Sequence, residues 1–164
     1  MSEVTNSNQY LTFTLDQEVF GLEIGKVREV LDYTTVTKVP QTPEFMRGVI
    51  NLRGSVVPVV DMRLKFGMTL TQRSVNTCII IVEVELGGEK TQLGALADSV
   101  REVMDLDAED IEPAPKLGIG LNTEFIKGMG KAGEKFIILL DFNRVFSFEE
   151  LSVLREGQRE TEAA

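Results

Sequence analysis

Few side chains in this sequence are equipped for chemistry. The chain has no histidine and one cysteine, Cys78. The commonest general base and the usual zinc ligand are therefore missing, and one thiol cannot build a Cys/His zinc site. Cys78 begins an apolar run with no base beside it, so it reads as a small packed residue and not as a nucleophile. Carboxylates remain. Asp61 and Asp141 end two similar apolar runs, and paired carboxylates can share acid–base work. Their matching placement points instead to duplicated caps, each holding the short helix after its strand. Asp105-Leu-Asp107-Ala-Glu109-Asp110 hints at a calcium loop. The glycine expected next is replaced by Asp110 and the closing glutamate by Lys116, which leaves a solvated acidic loop. Gly128-Met-Gly-Lys-Ala-Gly133 satisfies G-x-G-x-x-G, but an apolar strand follows it where a dinucleotide site needs a helix. These glycines suit a tight hairpin. No cofactor or metal is implied.

Charge in an apolar setting is the remaining signal. Arg47 to Asp61 reads as two strands hinged at Gly54, Val49 to Leu52 and Val56 to Val60. The second is apolar throughout, as a strand buried on both faces should be. Pro58 cannot donate to a ladder, which predicts an edge strand or a bulge. Arg53 sits at the turn, where a long cation has no packing role. Glu29 lies beside another apolar strand of the same half. The two could pair across the surface, or stand as separately solvated charges.

The elements that must position these residues follow from pattern. Gln9 to Ile24 alternates around Asp16-Gln17-Glu18 and predicts a hairpin. Gly25 to Asp32 fits either a helical turn or a strand. Pro40 and Pro43 mark a loop. Met62 to Gly67 reads as a short helix, and Thr69 to Asn76 as a polar loop. Thr77 to Leu86 and Thr91 to Ala97 are strands joined by a Gly87-Gly88 turn. Glu134 to Leu140 is another strand. Ser147 to Glu150 is a capping box opening a helix with Phe148, Leu151 and Leu154 on one face. Residues 1–8 and 157–164 read as flexible tails.

The chain also repeats itself. Val27-Arg-Glu-Val-Leu-Asp32 recurs as Val100-Arg-Glu-Val-Met-Asp105, and Phe45-Met-Arg-Gly48 as Phe125-Ile-Lys-Gly128. Val56 to Asp61 recurs as Phe136 to Asp141, and Phe66 matches Phe146. The ordered recurrence implies two similar units of about five short strands, each too small to be comfortable alone, sharing an apolar interface. Turn-punctuated short strands favour barrels.

Bulk properties bound the partners. At 164 residues and 43% hydrophobic, the chain can bury a real core. No apolar run is long enough to span a bilayer, and the N-terminus has no secretory pattern. The net charge of −9 argues against nucleic acid and leaves another protein as the expected partner. A single cysteine fits a cytoplasmic setting.

Phe20-Gly-Leu-Glu-Ile-Gly-Lys-Val-Arg-Glu-Val30 and Pro43-Glu-Phe-Met-Arg-Gly-Val-Ile-Asn-Leu-Arg-Gly-Ser-Val-Val-Pro-Val-Val-Asp-Met-Arg63 together resemble the CheW family of bacterial chemotaxis coupling proteins. Gly94 to Val103, Asp110 to Pro115 and Phe125 to Gly128 agree, so the resemblance spans about residues 9 to 156. It implies an all-β fold of two five-stranded SH3-like barrels sharing an apolar core, with a short C-terminal helix. The expected division is a first barrel over 16–84, a second over 9–15 plus 85–146, and the helix over 147–156. It implies a non-enzymatic adaptor that couples chemoreceptor cytoplasmic tips to the histidine kinase CheA, in the cytoplasm at membrane-associated arrays and without inserting in the membrane. Carried over by position, the receptor-facing groove takes Ile24, Val27, Glu29, Arg53, Thr77, Cys78, Gly94, Val100 and Val103. The kinase-facing surface takes Met46, Arg47, Gly48 and Val49. A small carboxylate enzyme or ligand-binding barrel is the alternative class.

Overall fold

The computed structural model describes residues 9–86, 88–114, 124–147 and 149–153. The expected tails, Gly87, Lys116, Phe148 and Leu154 fall outside them. Strands β1 (Gln9–Leu15) and β2 (Glu18–Glu23) form the expected hairpin. Its turn, Asp16-Gln17, has φ of 50° and 75°, the two left-handed residues of a type I′ hairpin. The ambiguous stretch resolves both ways: Ile24–Lys26 is a 3-10 turn and Val27–Asp32 is strand β3. Then come β4 (Met46–Leu52), β5 (Ser55–Asp61) and helix α1 (Met62–Lys65). The second half adds β6 (Cys78–Leu86), β7 (Glu89–Ala97), β8 (Ser99–Asp105), the short β9 (Ile111–Glu112), β10 (Ile126–Ala132), β11 (Lys135–Leu140) and helix α2 (Phe142–Val145).

Two sheets result, ordered β3-β6-β7-β5-β4 and β8-β1-β2-β11-β10-β9. They are the two SH3-like barrels, barrel 1 and barrel 2. Each contains one parallel pairing, β5 with β7 and β11 with β2, which joins the hairpin to the other strands. The repeat maps β1 to β5 onto β6, β7, β8, β10 and β11, and under that mapping the two sheet orders become identical apart from β9. The barrels therefore do not coincide with the repeats. Each takes its hairpin from one repeat and its other three strands from the other. The expected boundaries differ accordingly: β2 lies in barrel 2, and β7 in barrel 1.

Exchange of hairpins puts a common core between the barrels. Leu11, Phe13, Leu15, Phe20 and Leu22 from barrel 2 pack with Val60, Ile80, Val82, Val84, Leu93 and Ala95 from barrel 1. Each fully buried side chain of this size contributes roughly 1.5–3 kcal/mol by leaving water. The aromatic contacts carry the same two-fold relation. Phe66 stacks on Phe125 at 5.0 Å, while their repeat mates Phe146 and Phe45 meet at 5.7 Å. Ile79 and Ile81 point the other way, into barrel 1, so β6 is apolar on both faces.

Pro58 is a correction. It lies in β5, an interior strand, and the register shift of this pair is in β4. Val49, opposite Pro58, exchanges both backbone bonds with Thr37, at 2.8 Å each. Val49–Pro58 is thus a non-hydrogen-bonded pair, and the N–H that proline lacks would point toward β7. That ladder starts one residue later, at Val59, so no sheet bond is lost.

The duplicated carboxylates act as caps. Asp61 accepts from the backbone N–H groups of Arg63 and Leu64, and Asp141 from that of Asn143. At the C-terminal end Ser147 and Glu150 close the capping box reciprocally at 2.9 and 3.0 Å, ahead of helix over 149–153.

Candidate functional site

The β4–β5 turn holds Arg53 at φ 51° and Gly54 at 90°, again a type I′ turn. Asn51 Oδ1 accepts from the Gly54 N–H at 2.8 Å and fixes it. A non-glycine residue in the left-handed region costs of order 1–3 kcal/mol and marks a position set by more than packing. From there the guanidinium donates to Glu29 Oε2 at 3.0 Å, so the two charges pair. Arg53 is 72% exposed and Glu29 29%. The carboxylate beside it raises the already high Arg53 pKa, through the hydrogen bond first and charge second. The other Glu29 oxygen, Oε1, is buried without a partner among the described residues.

The other expected groove residues are not gathered around this pair, since Glu29 is paired with Ile81 on the barrel 1 side of the sheet and Val27 with Val82 on the shared-core side. Ile24, Val27 and Val100 are partly buried on the shared core. Cys78, at the start of β6, donates its thiol to Asn76 O at 3.2 Å. Burial raises its pKa, opposed by a backbone hydrogen bond from Val100. Val103 is 46% exposed. Two expected residues lie inside instead. Thr77 is buried, its hydroxyl accepting from Ser74 N at 2.8 Å. Gly94 is buried too: a Cβ there would lie 2.9 Å from Ile79 Cγ2 and 3.3 Å from Val59 Cγ2. Sequence reasoning missed Val30, 40% exposed on β3. The repeat could have found it, since Val30 is the mate of Val103.

Most of the expected kinase-facing residues are interior. Met46, Gly48 and Val49 are buried. Arg47, 27% exposed, reaches the fully buried Asp61 at 3.1 Å and Thr71 O at 3.3 Å. Gly48 has φ 143°, and a Cβ on it would fall 2.1 Å from Thr37 O. The close approach that requires glycine is thus to this chain's own backbone. What faces outward here is β4, the edge strand of its sheet, bridged at Thr37–Val49.

The remaining motifs resolve into structure. Gly128 and Gly130 admit Ile111 and Leu106, whose side-chain carbons would each lie 2.7 Å from an added Cβ, and Gly133 turns the β10–β11 hairpin at φ 65°. Asp107 and Asp110 close a capping box on the 3-10 turn Ala108–Asp110. Among the described residues, no group of three or more His, Cys, Asp and Glu is placed to hold a metal ion. At the barrel junction Lys127 pairs with Glu23 beside Lys26, Glu83 and Asp141, in a cleft of about 210 Å³. Burial pulls the Lys127 pKa down, opposed by Asp141.

Comparisons with known proteins agree with this architecture. The CheW-like domain family matches residues 9–150. The chain is 38% identical over 150 residues to the chemotaxis protein CheW of Klebsiella aerogenes, covering 92% of this chain and 88% of that one. It is 30% identical over 142 residues to the probable chemotaxis protein CheW of Rhizobium etli, covering 87% and 89%. The crystal structure of the scaffolding protein TtCheW from Thermoanaerobacter tengcongensis superposes with a TM-score of 0.76 at 37% identity, over 88% of this chain and 95% of that one. With that match running through both barrels, the chain belongs to the CheW-like domain family.

Proposed function

We propose that this chain is a non-enzymatic scaffold of chemotaxis signalling, which couples chemoreceptor cytoplasmic tips to the histidine kinase CheA and so lets receptors control autophosphorylation. The observation that carries the reading is the Arg53–Glu29 pair. It is an exposed cation held by a left-handed turn against a carboxylate with one unpartnered buried oxygen. Val27 of the same strand as Glu29, with Ile24 and Val100, turns to the other face and packs on the shared core. A helical receptor tip supplies apolar anchors for such a surface. Val30 and Val103, exposed on the edge strands β3 and β8, extend it. The kinase docks against the β4 edge, with Gly48 holding the chain around Thr37 in place beneath it. No described helix is long and apolar enough to cross a membrane. The scaffold acts in the cytoplasm and reaches the membrane through its receptors.

The test is kinase autophosphorylation with purified receptor and CheA, with and without this chain. Receptor-dependent activation arises only when it is present, and Arg53→Ala lowers it while the fold stays intact. Full receptor control with Arg53→Ala and Glu29→Ala together would remove the site assignment. No activation by the folded wild type would remove the function.

A further inference from the structure

Barrel 2 has its own version of the Arg53–Glu29 place, and there it stands open. The register equates Glu29 with Glu102, since each is the third residue of the repeated Val-Arg-Glu-Val. It equates Ile81, the partner of Glu29, with Thr12, whose hydroxyl donates to Glu102 O at 2.8 Å and accepts from Glu102 N at 3.1 Å. The turn residue matching Arg53 is Gly133, with the same left-handed backbone at φ 65°. Barrel 1 thus has an aliphatic filler and an arginine clasp where barrel 2 has a hydroxyl and no side chain. The space left is a cleft of about 250 Å³, floored by Val19, Met104, Ala132 and Ile137, with Phe136 standing 47% exposed at its lip.

The geometry points to a second docking site in this cleft, for a partner-protein segment carrying one large apolar side chain between carboxylates. The volume lies below the range of about 300–1,000 Å³ usual for small-molecule sites, so it suits a single anchored side chain. Charge selects the flanks. Arg101 and Lys135 line the cleft beside one carboxylate, Glu102. Among the described residues neither cation is in an ion pair, as holds also for Lys26, Lys38 and Arg73, whereas Arg28, Arg47, Arg53, Arg63, Lys65, Lys90, Lys127, Lys131 and Arg144 all are. On a chain of net charge −9, two cations without an ion pair among the described residues, beside exposed apolar surface, form a local attractor for an acidic segment. The site is separate from the receptor and kinase surfaces and does not depend on them.

The test is a 15N–1H NMR titration of the full chain with two short probe peptides, each with a central Phe-Leu pair. One is flanked by Glu and Asp, the other by Lys. The acidic peptide shifts the amides of Thr12, Val19, Met104 and Ile137 saturably, and binds at least about tenfold more tightly than the basic one. Gly133→Arg rebuilds the clasp, on a backbone already suited to arginine in barrel 1, and removes those shifts. A double charge reversal, Arg101→Glu with Lys135→Glu, leaves the cleft open and weakens the acidic peptide by a similar factor. Tighter binding of the basic peptide, absence of saturable shifts in the wild type, or unchanged binding in both variants would overturn the proposal.

Discussion

Barrel 1 encloses Ile50, Val57, Val59, Ile79 and Ile81, all essentially buried. At the equivalent places barrel 2 holds Gly130, Ile137, Leu139, Tyr10 and Thr12. The exchanges are compensated locally. Where Ile50 becomes Gly130, the partly buried Tyr33 of barrel 1 becomes Leu106, 3% exposed, whose Cδ1 occupies the space a Cβ on Gly130 would need. Bulk has moved from the strand to the segment that covers it, and the frame is unchanged. Where Ile81 becomes Thr12 the compensation is polar, a hydroxyl bridging Glu102, and it leaves the cleft described above. One topology can therefore be held by filling or by covering. Both barrels also lean on the shared core, to which barrel 2 contributes Leu11, Phe13, Leu15, Phe20 and Leu22 from β1 and β2.

The sharpest contrast lies in the two strand-ending aspartates, and it gives the largest expected effect. Asp61 is fully buried and accepts from Arg63 N, Leu64 N, Thr71 N at 3.0 Å, Thr71 Oγ1 at 2.7 Å and Arg47 Nη1. It ties α1, the 67–77 loop and β4 together. Asp141 is 39% exposed and caps α2 through Asn143 N at 3.1 Å. Asp61→Ala strands Arg47 and opens the loop, a loss of about 3–5 kcal/mol. Asp141→Ala removes a cap and costs about 1 kcal/mol. Urea denaturation of both variants measures the difference, and equal losses would mean that the duplicated caps are energetically equivalent after all.

Gly48 and Gly128 are repeat mates with unlike neighbours. A Cβ on Gly48 meets backbone, Thr37 O at 2.1 Å, at a positive φ, whereas one on Gly128 meets the movable Ile111 Cγ2 at 2.7 Å. Gly48→Ala is expected to cost about 2–4 kcal/mol, combining left-handed strain with overpacking. Gly128→Ala is expected to cost about half as much, because a side chain can yield where a backbone cannot. Hydrogen exchange locates the damage. Raised exchange at Thr37 and Val49 in Gly48→Ala supports the intramolecular role, and exchange unchanged there would restore a purely partner-facing role for this glycine.

The repeat was legible because its blocks keep order and chemistry, from Val27-Arg-Glu-Val to Val100-Arg-Glu-Val. The barrel fold came from the resemblance together with that duplication, and the caps Asp61 and Asp141 from their placement before short helices. The exchange of hairpins was not legible. β2 and β7 carry the same pattern, including Gly21 and Gly94 at their parallel pairings with Leu139 and Val59, so either could be assigned to either barrel. Periodicity reports which face is apolar but not which repeat supplies the neighbour. For the same reason Pro58 looked like an edge residue: the end of the β7 ladder that tolerates it exists only in three dimensions. Arg53 and Glu29 stood out as charges without a packing role, and the structure pairs them. Thr77, Gly94, Met46 and Val49 carry no such mark, since a buried and a half-exposed residue of these types look alike in one dimension.

The smallest expected effect on stability comes from removing the clasp that distinguishes the two barrel mouths. Arg53→Ala makes barrel 1 resemble barrel 2 at that point. The pair is exposed on the arginine side, so its loss should change stability by about 0–1 kcal/mol, and less as salt rises. Two terms bear on the size of the loss. Alanine at a φ of 51° keeps the strained turn, while Glu29, already with one unpartnered buried oxygen, loses its cation. The double variant Arg53→Ala with Glu29→Gln separates them. If the unpaired carboxylate is the cost, neutralising it restores the wild-type urea midpoint, and the same double variant still fails in receptor coupling. A single variant losing several kcal/mol would show instead that the clasp is a structural strut, and that barrel 1, unlike the open-mouthed barrel 2, needs something across its mouth to stay folded.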